Sequence, residues 1–238
     1  MLQPNEIERA LVVTAHPDDV DFGAAGTVAV LTDAGVEVSY CLVTDGDAGG
    51  FDLEISRPEM ASLRRAEQTR AAKEVGVEHL VFLGHGDGRV VADLALRRDI
   101  SRVIRQVRPN VVIQQSPELN LDRIYASHPD HVAAAQACIA AVYPDARNPF
   151  AHTELMDEGL APWAVTEVWV MGGSDPKDAV DVTVQIDRKI RALLAHETQH
   201  QNPAGVEARV REWTAATAKR FGLPEGCLAE AFQVVDTR

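Results

Sequence analysis

The chain has 238 residues, of which 46% are hydrophobic, and its formal net charge is −13 at pH 7. Acidic residues are dispersed and Lys and Arg form no dense cluster, so we expect no nucleic-acid partner. No apolar run reaches the roughly 18 residues of a membrane span, and the polar start lacks the layout of a secretion signal. We therefore expect a cytoplasmic protein without a membrane span, folded as a single domain over residues 1–238.

Short apolar runs alternate with segments of helical spacing along the chain. This alternation predicts an α/β fold, with a mostly parallel sheet and helices on both faces. Turn-forming residues break the pattern at 143–163, which we predict to be a long loop. The predicted strands are 10–15, 37–44, 79–83, 110–115, 167–171 and 180–186, and the predicted helices lie near 23–35, 58–76, 93–108, 129–143, 187–200 and 204–221.

Three polar side chains follow the first predicted strand. His16, Asp18 and Asp19 are gathered into a turn by Pro17. Ligands of an open α/β sheet collect beyond the carboxyl ends of its strands. A hydrolytic zinc site takes imidazole nitrogens and carboxylate oxygens as three protein ligands and keeps one position open. This turn can supply two of those ligands.

A second polar segment follows the fourth predicted strand, where His128, Asp130 and His131 surround Pro129 at a helix start. His131 is a natural third ligand, whereas His128 can approach the same point without binding metal, and Asp130 can orient a ring. Either segment alone is more often a turn or a capped helix. Together, at one edge of one sheet, they favour a hydrolytic metal site.

The two segments, AHPDD at 15–19 and HPDH at 128–131, resemble the paired signatures of the LmbE-like (PIG-L) zinc deacetylases. The resemblance spans nearly the whole chain, but GAAG at 23–26 departs from the family's paired glycines, and Val20 stands where an acid is frequent. These departures weaken any transfer of fine substrate specificity. Further matches are TDGDAG at 44–49, Arg64 with Glu67 on a helix, and LAHETQ at 194–199.

The resemblance implies a Rossmann-like fold and one zinc ion per chain, whose place another divalent ion could take. It implies a hydrolysis in which a base activates water and a protonated histidine faces the developing oxyanion. The implied metal ligands are His16, Asp19 and His131, and the implied catalytic residues are Asp18 as base, His128 at the oxyanion and Asp130 beside an imidazole. Substrate contacts are predicted for Asp47, Arg64, Glu67 and His196.

The resemblance also implies a small-molecule substrate, an N-acetylglucosamine-type conjugate that loses its acetyl group. A glycolipid, a thiol-conjugate precursor and an antibiotic precursor all stay open, as does a homo-oligomer. One rival is a nucleotide-dependent enzyme, but GAAG at 23–26 lacks the glycine spacing of a dinucleotide turn. The other is a non-catalytic sugar- or nucleotide-binding protein, against which the presence of Asp18 argues.

Overall fold

The computed structural model describes the backbone of residues 1–238, and all side chains other than those of residues 122, 123 and 125. The strands are β1 (Arg9–Thr14), β2 (Glu37–Thr44), β3 (His79–His85), β4 (Val111–Gln115), β5 (Glu167–Met171), β6 (Asp178–Asp181) and β7 (Ala229–Asp236). They form one sheet in the order β3-β2-β1-β4-β5-β7-β6. The pairs from β3 to β5 are parallel, whereas β7 is antiparallel to both β5 and β6.

The helices are α1 (Asp19–Gly23), α2 (Ala25–Asp33), α3 (Arg57–Glu74), α4 (Leu94–Val107), α5 (Pro129–Ala140), α6 (Glu154–Asp157), α7 (Ile186–Leu194) and α8 (Val206–Arg220). Residues of β1 alternate between two apolar clusters, so both faces of the sheet are covered. One cluster includes residues of α2, α3 and α7, and the other includes residues of α4 and α5. The predicted α/β class and mostly parallel sheet are confirmed. Among the described residues, no helix is long and apolar enough to cross a membrane.

The prediction of a strand at 180–186 is wrong in most of its length. The strand ends at Asp181, and α7 begins at Ile186. Val182 and Ile186 are buried in an apolar cluster with Ile190 and α8, so their spacing of four is helical and not alternating. The strand β7 was not predicted, and the predicted helix 187–200 ends at Leu194.

The segment 143–163 is not wholly a loop, because it contains the short helix α6. Its path is held by Arg105 of α4, which is only 2% exposed. The guanidinium donates hydrogen bonds to backbone carbonyl oxygens of the segment, and five such bonds exceed what a loop of this kind can provide for itself. The acceptors are the carbonyls of Asp145 (3.1 Å), Ala146 (3.1 Å), Asn148 (2.9 Å), Ala151 (3.2 Å) and Leu160 (3.5 Å).

Candidate active site

The chain reverses sharply where it leaves β1. Asp18 has a φ of 89°, in the left-handed region that residues with a Cβ rarely adopt. The reversal sends two adjacent carboxylates to different partners. Asp19 contacts His16 and His131, whereas Asp18 accepts a hydrogen bond from Arg64.

Three ligand atoms form a triangle beside this turn. His16 Nδ1 lies 3.2 Å from His131 Nε2 and 3.4 Å from Asp19 Oδ2, and His131 Nε2 lies 3.1 Å from Asp19 Oδ1. Tetrahedral zinc with bonds of roughly 2.0–2.1 Å holds its ligand atoms about 3.3 Å apart. The side chains of His16, Asp19 and His131 therefore fit a metal ion of this size without rearrangement.

Two carboxylates contact the other nitrogen of His16. Its Nε2 lies 3.2 Å from Asp130 Oδ2 and 3.2 Å from Asp87 Oδ1. Asp130 also accepts the backbone N–H groups of Gly88 and Val90, at 2.7 and 3.2 Å. Carboxylates that hold one imidazole nitrogen fix the tautomer and orient the other nitrogen toward a metal.

The charges around the triangle favour a bound cation. Burial opposes a charged ring at His16, but hydrogen bonds to Asp130, Asp19 and Asp87 raise its pKa to about 12. Burial also opposes the charged form of Asp19, yet His131 holds the pKa of this carboxyl well below its usual range. The carboxylates thus stabilise positive charge at this point, which a divalent ion can supply in place of protons.

Sequence reasoning missed Asp87. It follows β3 in the stretch His85-Gly86-Asp87-Gly88, at the same sheet edge as the two histidine segments. Its carboxylate also accepts the N–H of Ala48 at 2.9 Å. A lone aspartate after a strand has no distinctive spacing, and only its position beyond a strand end could have suggested it.

An Asp87→Asn variant is expected to bind metal about 10–100-fold more weakly, because an amide no longer holds the His16 ring as a carboxylate does. Competition with a chromophoric chelator measures the metal Kd. Asp99→Asn is a matched control, since Asp99 contacts a different imidazole, that of His85, at 3.3 Å. An Asp87→Asn protein whose metal Kd equals that of the control would contradict the role of Asp87.

His128 is the N-cap of α5 and approaches the same point. Its Nδ1 accepts the backbone N–H of Asp130 at 3.2 Å, and its ring centre lies 5.0 Å from that of His16 and 5.2 Å from that of His131. Burial and the nearby His16 and His131 charges lower the pKa of His128. The structure thus differs from the expected protonated ring: Nδ1 is an acceptor, so a neutral ring carries its proton on Nε2.

Asp18 is held from behind by Arg64. Arg64 Nη2 lies 3.0 Å from Asp18 Oδ2 and also donates to the carbonyl of Pro17, and Nη1 donates to the carbonyl of Gly46 at 3.2 Å. Burial raises the pKa of Asp18 to about 6, although the charge of Arg64 opposes this shift. Arg64 is only 4% exposed, so the structure places it against Asp18 and not in open solvent.

The other predicted substrate residues have different surroundings. Glu67 is buried and accepts two hydrogen bonds from Thr198, and His196 is fully buried against Asp21 at 2.8 Å. The burial arises because these polar groups satisfy one another between α3 and the segment after α7. Asp47 alone of the four lines a cavity, of about 350 Å³. Direct substrate contact stays a prediction for all four, and the geometry favours it only for Asp47.

Comparison with known proteins places this geometry in a family. The family description "PIG-L: GlcNAc-PI de-N-acetylase" matches residues 11–142. The diacetylchitobiose deacetylase of Thermococcus kodakarensis is 35% identical over 82% of this chain and 71% of its own length. A probable N-acetyl-alpha-D-glucosaminyl L-malate deacetylase 2 of Bacillus cereus is 30% identical over 90% of this chain and 94% of its own.

A solved structure agrees with these sequence matches. N,N'-diacetylchitobiose deacetylase of Pyrococcus horikoshii, in complex with an inhibitor, superposes with a TM-score of 0.89 and 27% identity. The match covers 98% of this chain and 85% of that one. This chain therefore belongs to the PIG-L, or LmbE-like, family, and it is an amide hydrolase of the de-N-acetylase type.

Proposed function

We propose that this chain removes the acetyl group from the amide nitrogen of an N-acetylglucosamine-type conjugate in a zinc-dependent hydrolysis. One observation carries the proposal: the ligand triangle of His16, Asp19 and His131 lies directly beside the separately held carboxylate of Asp18. A metal and a base are the two groups that hydrolysis of an unactivated amide requires. The relatives described above act on acetylated amino sugars, which supports this substrate class.

The donor set supports zinc as the metal. Two imidazole nitrogens and one carboxylate form a borderline site that suits zinc and leaves a coordination position open. When bound, the ion supplies Lewis acidity toward water and the amide carbonyl. We propose His16, Asp19 and His131 as its ligands, with Asp130 and Asp87 orienting His16.

The remaining steps belong to side chains of this chain. Asp18 takes a proton from the attacking water, and Arg64 keeps its carboxylate in place. His128 donates from Nε2 to the oxygen on which charge develops, because its Nδ1 is occupied by the N–H of Asp130. The C–N bond then breaks, Asp18 returns the proton to the leaving amine, and acetate and a free amino sugar are released.

The proposal is tested with metal-replete protein and N-acetylglucosamine conjugates that differ in the group at C1. We expect equal amounts of acetate and primary amine, measured by a coupled acetate assay and by fluorescamine. An O-acetylated glucoside is the control that separates amide from ester hydrolysis. If no acetamido sugar yields acetate while the protein holds its metal, the proposed reaction is wrong.

A further inference from the structure

A buried glutamine links the proposed base to the interior of the protein. Gln68 of α3 is fully buried, and its Oε1 accepts the backbone N–H of Asp18 at 2.8 Å. Its Nε2 donates to Asp21 Oδ2 at 2.9 Å. The amide of Gln68 thus bridges residues on either side of Asp19, a proposed metal ligand.

The orientation of this amide is set by a second buried contact. His196 Nε2 lies 2.8 Å from the same Asp21 oxygen that accepts from Gln68. An ionised carboxylate only accepts hydrogen bonds, so the NH₂ group of Gln68 must face Asp21 and its oxygen must face Asp18. Asp21 and His196 are both fully buried, and water does not compete for these bonds.

The contact falls on a backbone conformation that needs support. The φ of 89° at Asp18 is unfavourable for a residue with a Cβ, so surrounding contacts must hold it. Arg64 holds the carbonyl of Pro17 and the Asp18 carboxylate, and Gln68 holds the Asp18 N–H. If the N–H were released, the peptide could rotate and turn the carboxylate away from the metal ligands.

We propose that Gln68 is a positioning residue for Asp18: it fixes the left-handed turn that aims the base, and the Asp21–His196 pair fixes the amide of Gln68. This inference rests on the proposed function, since it assigns Gln68 a role in the hydrolysis. It also gives a use to the buried His196, which the sequence had suggested as a substrate contact.

The test compares a Gln68→Met variant with the parent enzyme on an acetamido sugar that the parent hydrolyses. Methionine fills a similar volume but neither accepts from Asp18 nor donates to Asp21. We expect kcat to fall about 10–100-fold, as for a misplaced catalytic group, with KM within about twofold of the parent. Metal content by mass spectrometry should be unchanged, and hydrogen exchange at the Asp18 amide should be faster.

Thr214→Val is the matched control, because it removes another buried hydrogen bond, to the carbonyl of Val210, far along the chain in α8. It should lower Tm without changing kcat. If Gln68→Met does not fold, Gln68→Asn replaces it, since the shorter amide cannot span both partners. An unchanged kcat in a folded Gln68 variant, or a fall in kcat that only follows metal loss, overturns the proposal. Inactivity of the parent itself would instead refute the proposed function.

A double variant tests the part of the pair behind Gln68. If His196 acts through Gln68, adding His196→Gln to Gln68→Met should leave kcat unchanged beyond the loss from Gln68→Met alone. Losses that multiply in the double variant would show that His196 acts on the site by another route and would overturn this link.

Discussion

An Asp18→Asn variant is expected to keep its metal and its substrate affinity while kcat falls ~10²–10⁴-fold, because a general base typically contributes that much. The amide has almost the shape of the carboxylate and can still accept from Arg64 Nη2, which lies 3.0 Å from Asp18 Oδ2. The left-handed backbone and its contact with Gln68 stay available. Steady-state kinetics and metal analysis of the same preparation measure the two effects separately.

The adjacent carboxylate supplies the control. Asp19→Asn replaces a ligand atom that lies 3.1 Å from His131 Nε2, so this variant should lose metal occupancy together with activity. The structure sends the two carboxylates in different directions, and the two variants should differ accordingly. If both lose metal to the same degree, or both keep it and lose the same kcat, the division between base and ligand is wrong.

A His131→Ala variant is expected to lose metal and to show turnover at the level of the uncatalysed background. Its Nε2 is a corner of the ligand triangle, 3.2 Å from His16 Nδ1, and alanine supplies no replacement. The metal Kd should rise by more than the roughly 10–100-fold that follows from changing a residue behind a ligand. Chelator treatment of the parent should give the same loss, and added zinc should restore activity.

His128→Ala is the matched control, because it removes a neighbouring imidazole whose ring centre lies 5.2 Å from that of His131. It should retain its metal while kcat falls. A His128→Ala protein that loses metal as fully as His131→Ala would show that His128 is itself a ligand. The nitrogens of His16, His128 and His131 lie within 4.8 Å of one another, so the experiment addresses a real alternative.

The sequence was most informative where one local pattern decides the outcome. Apolar runs predicted β2 and β5 with correct bounds, because strands buried on both faces leave little ambiguity. The histidine segments predicted a meeting point, since they leave neighbouring parallel strands at one sheet edge. The structure places His16, Asp19 and His131 within ligand distances of one another, as that reasoning expected.

Residues whose role depends on direction were harder to assign. The spacing of Arg64 and Glu67 places both on one side of α3, but not whether that side faces the cleft or the protein interior. In the structure both are buried, and each holds a loop. Asp87 and Gln68 carry no motif, because their contacts with His16 and Asp18 exist only after distant segments meet. The strand β7 pairs antiparallel at the sheet's far side, without the crossover rhythm that revealed the others.

The hold of Arg105 on the segment 143–163 has a consequence for sequence variation. All five of its acceptors are backbone carbonyls, which every amino acid possesses. The path of the segment is thus encoded mainly outside the segment, in one α4 side chain with a five-donor fork that lysine lacks. Related chains could diversify their residues here while the backbone trace persists, provided that arginine is retained at position 105.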